Sequence, residues 1–323
     1  FLALATVGMA DPAVFEFFEH LLIGRSWQER VLALDAAAAS RDLRFGPKVI
    51  SNLGHRIRQV RLAAAEALAH LRSVEAIEPL IVRLEKEEDK RILNALAEAL
   101  YRTTGMNLYD QAAVWRKWWK ANREGFRVPE YVKDLPSECA GGTRAGFYGI
   151  PINSEHIAFV LDQSGSMSAG MELKLPGGRV KGNRLTVAVR QLLKAVRELP
   201  DCGYVNVILF HTSVQPWRGD LQRLTRKNRK ELSRYLRSKT PMGGTNLYDA
   251  MERALDDEDV DTIFVLSDGA PTAGKYTDME DILRVVRRKN QIRRIVIHTI
   301  SVGQDSALLR RLAEENGGRY VRV

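Results

Sequence analysis

The sequence predicts a chain in two parts. An all-helical repeat array over residues 1–126 is followed, after a linker over 127–155, by an α/β unit with a doubly wound, mainly parallel sheet over 156–323. Three observations predict this. Alanine- and leucine-rich segments recur about every 30 residues in the first half. From residue 156 onward, short apolar runs alternate with amphipathic stretches. Between the two halves periodicity stops, and Pro129, Pro136, Pro151 and the run GGTRAG take its place.

The repeats of the first half are RVLALDAAAA (30–39), RLAAAEALAH (61–70) and ILNALAEALY (92–101), which align Asp35, Glu66 and Glu98 in register. Alanine and leucine favour helix, and β-branched runs are scarce. SVEAIEPLIVRLEKEED supplies a helix between two of these segments, and DPAVFEFFEHLLIG fits the same slot earlier. Helix pairs of this length cannot bury their apolar faces alone, so neighbours must stack. The chain starts at Phe1, and its opening LALATVG reads as the end of a further repeat, so the chain is expected to be a fragment with its N-terminus out of view. The repeats resemble the short form of HEAT repeats, over roughly 1–105. A last helix, AAVWRKWWKANRE (112–124), carries Trp115, Trp118 and Trp119 on one face. That stripe is expected to pack, as a cap on the last repeat or as a seam to the next domain, rather than to stack a ligand.

In the second half the expected strands are 157–161, 205–210, 262–266, 295–300 and 320–323. Amphipathic helices are expected near 184–198, 225–238, 246–255, 278–290 and 305–315. Strands apolar on both faces and separated by helices form a parallel sheet covered on both sides. Pro216 in VQPW (214–217) suits an antiparallel edge strand. FYGIPI (147–152) adds a short extended piece before the first of the main strands.

Ligands of such sheets bind at the carboxyl ends of the strands. The first strand ends in DQSGSM, which places Asp162, Ser164 and Ser166 there. The loop PMGGTNLYDA offers Thr245, and SDGAPTAG places Asp268 after a second strand. Two carboxylates and three hydroxyls, with no imidazole or thiol among them, are hard oxygen donors suited to Mg²⁺, Mn²⁺ or Ca²⁺. DxSxS, GGT and SDG in that order resemble the metal-ion-dependent adhesion site of von Willebrand factor A domains, over roughly 156–323. The resemblance implies a Rossmann-like fold and a Mg²⁺ (or Mn²⁺ or Ca²⁺) ion held mostly by the hydroxyls of Ser164, Ser166 and Thr245. It implies that Asp162 and Asp268 act through water or from behind, and that an Asp or Glu carboxylate of a protein partner completes the shell. Gly165, Gly243, Gly244 and Gly269 are expected to keep the loops free of side chains. After Met167 the insertion SAGMELKLPGGRVKGN reads as a small hairpin. It would present Lys174, Arg179, Lys181 and Arg184 to an acidic partner surface.

Other functions leave weaker traces. His211 follows the second strand, but no GxSxG, P-loop or GxGxxG is present, so no enzyme is expected. Cys139 and Cys202 form neither a zinc pattern nor a disulfide framework, and no apolar run is long enough to span a bilayer. The net charge of +9 sits mostly in the second half, which has 31 basic and 24 acidic residues over 127–323. QRLTRKNRKELSRYLRSK (222–239) holds eight basic residues and one acid. HEAT-type repeats joined to a metal-site domain also resemble the architecture of Ro ribonucleoproteins, so RNA binding is the alternative to a metal-dependent protein-interaction scaffold.

Overall fold

A computed structural model describes residues 11–132, 145–175 and 178–323. The chain divides into two compact units, Phe1–Gly141 and Gly142–Val323. The expected repeat end LALATVG, and Pro136, Cys139 and most of GGTRAG in the expected linker, lie outside the described residues.

The first unit is a stack of helix pairs. Helix α1 (Pro12–Ile23) is followed by α2 (Trp27–Ser40), and short α3 (Gly46–Ser51) by α4 (Arg58–Leu71). Then α5 (Ile77–Leu84) precedes α6 (Lys90–Thr104), and α7 (Ala112–Asn122) closes the array. The three aligned segments are α2, α4 and α6. Capping fixes their ends: Ser26 caps α2 and Asp89 caps α6 through backbone amides left without partners in the first turn. Each of the three stops at a left-handed residue, Arg41, Arg72 and Gly105. Helix α4 lies between α2 and α6 and buries Val60, Leu62–Ala65, Ala67–Ala69 and Leu71, so alanine lets backbones approach on both sides. Glu66 stands on this otherwise apolar helix, and burial pushes its pKa up to about 7.

Helix α3 has no counterpart in the sequence reading. Leu43–Phe45 and Asn52–Gly54 form 3₁₀ turns on either side of it, so the periodic run is too short to recognise. Its slot is nevertheless that of α1 and α5, and Phe45 and Val49 are fully buried. The tryptophan stripe packs as expected. Trp115 is fully buried with its indole N–H donated to the Tyr109 carbonyl at 2.8 Å, and Trp118 and Trp119 meet Phe126 edge-on.

The second unit opens with a hairpin, β1 (Gly146–Phe147) and β2 (Ile150–Pro151). Tyr148 and Gly149 both have positive φ, as a two-residue hairpin turn of right-handed twist requires. Phe147 packs edge-on against Phe159 and Phe264, and Ile150 and Ile152 are buried. The expected linker is therefore too long at this end, because Ala145–Ile152 belongs to the core of the second unit.

The main sheet contains β3 (His156–Asp162), β6 (Tyr204–Phe210), β7 (Val214–Pro216), β8 (Gln222–Arg223), β9 (Thr262–Ser267), β10 (Val296–Ser301) and β11 (Tyr320–Arg322). Its order is β11-β10-β9-β3-β6-β7, with β8 also on β6. Strands β3, β6, β9, β10 and β11 are parallel, and β7 with Pro216 is an antiparallel edge. Ile157, Phe159 and Leu161 point to one face, where α8 (Arg184–Glu198) and α9 (Arg226–Arg237) pack. Ala158 and Val160 point to the other, which carries α10 (Leu247–Leu255), α11 (Met279–Arg293) and α12 (Ala307–Glu315). Between β3 and α8 stands the expected hairpin, β4 (Gly170–Leu175) paired antiparallel with β5 (Gly178–Asn183). Residues 176–177 at its turn and the side chain of Lys174 lie outside the described part of the structure.

Candidate functional site

Strand β3 is flanked by β6 on one side and β9 on the other, so the carboxyl ends of β3 and β9 sit side by side. Asp162 ends β3 and is fully buried. Its Oδ1 accepts the Ser164 amide at 2.7 Å, and its Oδ2 accepts the Ser267 hydroxyl at 2.5 Å. The next residues turn through a 3₁₀ segment, Gly165–Ser168, which brings Ser166 back beside Ser164 with their hydroxyl oxygens 3.0 Å apart. The Ser166 hydroxyl donates to Asp268 Oδ1 at 2.7 Å, across 102 residues of sequence. Ser164, Ser166 and Asp268 thus form one continuous chain of oxygens, with Asp162 behind it.

Thr245 is brought to the same end of the sheet by backbone bonds. The Gly165 amide donates to the Gly243 carbonyl at 3.0 Å, which ties the serine loop to the glycine loop. The glycine loop is in turn tied to the loop after β9. The Thr245 amide donates to the Thr272 hydroxyl at 2.9 Å, and the Thr272 amide returns a bond of 2.9 Å to the Thr245 carbonyl. Thr245 is buried, and its hydroxyl makes no hydrogen bond to the other four site residues among the described residues. Gly243 is needed where it stands: its φ is +68°, and a Cβ there would meet the Thr212 hydroxyl at 2.7 Å. Gly165 lies close to the Gly243 carbonyl and Gly244 close to Thr272, whereas Gly269 faces open space and crowds nothing, contrary to expectation.

Arg184, expected to face a partner, turns inward instead. Its Nη1 donates to Asp268 Oδ2 at 2.7 Å, and the Asp268 side chain is fully buried while that of Arg184 keeps 25% exposure. The guanidinium lies against Gly303, at φ +86° in the loop before α12. Gln304 donates to the Asp268 carbonyl at 3.2 Å from the same loop. The hairpin cations Arg179 and Lys181 both reach Glu172 of β4, at 3.2 and 3.5 Å, so they are partly neutralised within the hairpin. Sequence reasoning missed Ser267, Thr272 and Gln304 as supporting residues. Ser267 and Thr272 stand inside or beside the SDG segment, but nothing in the spacing says which carboxylate or amide each one meets.

Burial pushes the Asp162 pKa above the usual carboxylate range. Hydrogen bonds from Ser164 and Ser267 pull it back, and the charge of Asp268 adds to the rise. Both oxygens of Asp162 and both of Asp268 are already engaged, so the carboxylates orient the hydroxyls in front of them. Among the described residues no imidazole meets the Ser164 hydroxyl. The ring nitrogens of His211 meet Ser213 and Gln215, and the hydroxyl of Ser164 meets that of Ser166.

The family profile described as von Willebrand factor type A domain matches residues 155–322. The chain belongs to the von Willebrand factor type A family. Among curated relatives, human inter-alpha-trypsin inhibitor heavy chain H2 is 30% identical over 183 residues, 52% of this chain and 18% of that protein. Human von Willebrand factor A domain-containing protein 3A is 28% identical over 194 residues, 59% of this chain and 15% of that protein. The chain therefore spans under a fifth of the length of these relatives. Among solved structures, a von Willebrand factor type A protein from Catenulispora acidiphila is similar at 16% identity and a TM-score of 0.42, over 54% of this chain and 39% of that one. No described helix is long and apolar enough to cross a membrane.

Proposed function

We propose that the second unit is a metal-dependent protein-interaction module and that the helical array, of HEAT type, offers a second contact surface. The observation that carries the metal reading is the converging chain of Ser164, Ser166 and Asp268 oxygens backed by buried Asp162. The donor set fits a hard dication, since it contains hydroxyl and carboxylate oxygens only. Among the described residues no three His, Cys, Asp or Glu side chains group as a metal set, so a cation site here depends on hydroxyls. Ser164, Ser166 and Thr245 would hold Mg²⁺, Mn²⁺ or Ca²⁺, with Asp162 and Asp268 orienting them. When bound, the ion supplies a Lewis-acidic position for an Asp or Glu carboxylate of the partner.

The rest is the work of this chain's own residues. Asp162 fixes the serine loop through the Ser164 amide, and Asp268 fixes the Ser166 hydroxyl. Arg184 holds the second oxygen of Asp268, so that carboxylate cannot swing forward and neutralise the ion by direct contact. A first shell of neutral hydroxyls leaves the ion with net charge, which favours an outside carboxylate.

The test is calorimetric titration with Mg²⁺ and Mn²⁺, paired with affinity capture in the presence and absence of EDTA. Ser164→Ala/Ser166→Ala is expected to weaken metal binding by about 10- to 100-fold or more. It should also release the same partners that EDTA releases. Equal metal affinity in the wild type and this variant would sink the reading.

A further inference from the structure

Helices α8 and α9 pack on the same face of the main sheet, burying Leu185, Leu192 and Val196 from one and Leu232 and Leu236 from the other. They are also joined end to side, because Arg229 of α9 donates to the Leu199 carbonyl just past α8 at 2.8 Å. Their outer surfaces repeat the same pattern. On α8, Arg190, Lys194 and Arg197 are exposed at steps of four and three; on α9, Arg226, Lys230 and Arg234 are exposed at steps of four. Steps of three and four stack side chains along one side of a helix, about 6 Å apart for four residues. The result is two basic ridges on one face of the unit.

None of these six cations makes an ion pair among the described residues. The opposite face, built by α10, α11 and α12, behaves differently. There Arg287 pairs with Glu315 at 2.8 Å, Lys289 with Glu252 at 2.8 Å, Arg310 with Asp305 at 2.7 Å, and Arg284 with Asp281. On that face Arg288 of α11 is exposed and makes no ion pair among the described residues, but its neighbours along the helix are paired. The contrast sets the α8–α9 face apart: the charge of its ridges is not neutralised from within the fold.

We propose that the α8–α9 face binds the sugar–phosphate backbone of a nucleic acid. Regularly spaced cations complement the regularly spaced charges of a polyanion. Neither helix exposes a large hydrophobic side chain. The face therefore has nothing to insert into a bilayer, no apolar centre for a protein hot spot, and no fully exposed ring on which a base would stack, Tyr235 being partly buried against the core. What remains is contact with phosphates, which is strongly salt-dependent and carries no sequence information. The face is built by other residues than the candidate metal site and does not depend on it.

The experiment is fluorescence anisotropy of the whole chain with labelled single-stranded and duplex RNA of about 20 nucleotides and mixed sequence. Phosphatidylserine vesicles form a parallel arm. Binding is expected at low salt, unchanged by EDTA, and should fall by about 10³-fold between roughly 50 and 200 mM salt. Lys194→Glu/Arg197→Glu/Lys230→Glu/Arg234→Glu should abolish it, while Arg288→Glu on the opposite face should leave it nearly unchanged. Circular dichroism melting shows whether the fourfold variant is folded; if it is not, the pairs Lys194→Glu/Arg197→Glu and Lys230→Glu/Arg234→Glu are read separately. No RNA binding at low salt, binding that survives charge reversal in a folded variant, or binding to vesicles without RNA overturns the proposal.

Discussion

Gly303 shows how tightly single residues are constrained around the candidate site. At φ +86° it occupies a backbone region that side chains rarely adopt, and a Cβ there would collide with the Arg184 guanidinium. Gly303→Ala is expected to cost about 1–3 kcal/mol in chemical denaturation. Part of that cost is the collision, so the same substitution made in an Arg184→Ala background should cost less. Equal costs in the two backgrounds would mean that backbone strain alone is at work. The five oxygen-bearing residues of the site are legible in the sequence, because hydroxyls and carboxylates stand directly after apolar strands and in a glycine-rich loop. The inward turn of Arg184 is not. Its partner Asp268 is 84 residues away, and charge alone does not distinguish a side chain that folds inward from one that faces water.

At the scale of elements, the helices of both units are legible from their periodicity, and most strands from their apolar runs. Helix α3 escapes because Gly46, Pro47 and the flanking 3₁₀ turns break the pattern into pieces shorter than two helical turns. The connections between helices carry their own chemistry. Glu87, between α5 and α6, takes Arg61 at 2.9 Å and Arg83 at 2.6 Å, and accepts the amides of Glu88 and Asp89 at 3.2 Å. Burial alone would raise its pKa, but the bonds from Arg61, the Asp89 amide and Arg83 outweigh that, and the net shift is downward. Removing the carboxylate strands two largely buried guanidinium groups, so Glu87→Ala should destabilise the first unit by about 3 kcal/mol at neutral pH. A lowered pKa means that the stabilisation is fully present above the ordinary glutamate value near 4.5 and is lost as pH falls through the folded value. Thermal melts should accordingly show the gap between wild type and variant narrowing below about pH 4.5. A gap that stays constant down to about pH 3 would rule out this linkage.

For the molecule as a whole, the order of two units with separate cores is legible, but periodicity places the start of the second too late. The run FYGIPI has only two-residue strands, too short for alternation to show which side chains are buried. Phe147 nonetheless packs edge-on against both Phe159 and Phe264 in the core. A polypeptide covering 145–323 is expected to fold, and one covering 153–323 to be less stable by at least the roughly 3–5 kcal/mol attached to a buried phenylalanine. Urea denaturation of the two would decide this, and equal midpoints would return the hairpin to the linker.

The strand order has a further consequence for synthesis. The strand carrying Asp162 leaves the ribosome first, yet the hydroxyl that closes its second oxygen, on Ser267, follows 105 residues later. A nascent chain that ends before β9 therefore carries Asp162, Ser164, Ser166 and Thr245 but neither Ser267 nor Asp268, which orient them. Assembly of the site is thus tied to completion of the sheet centre and not to any local segment.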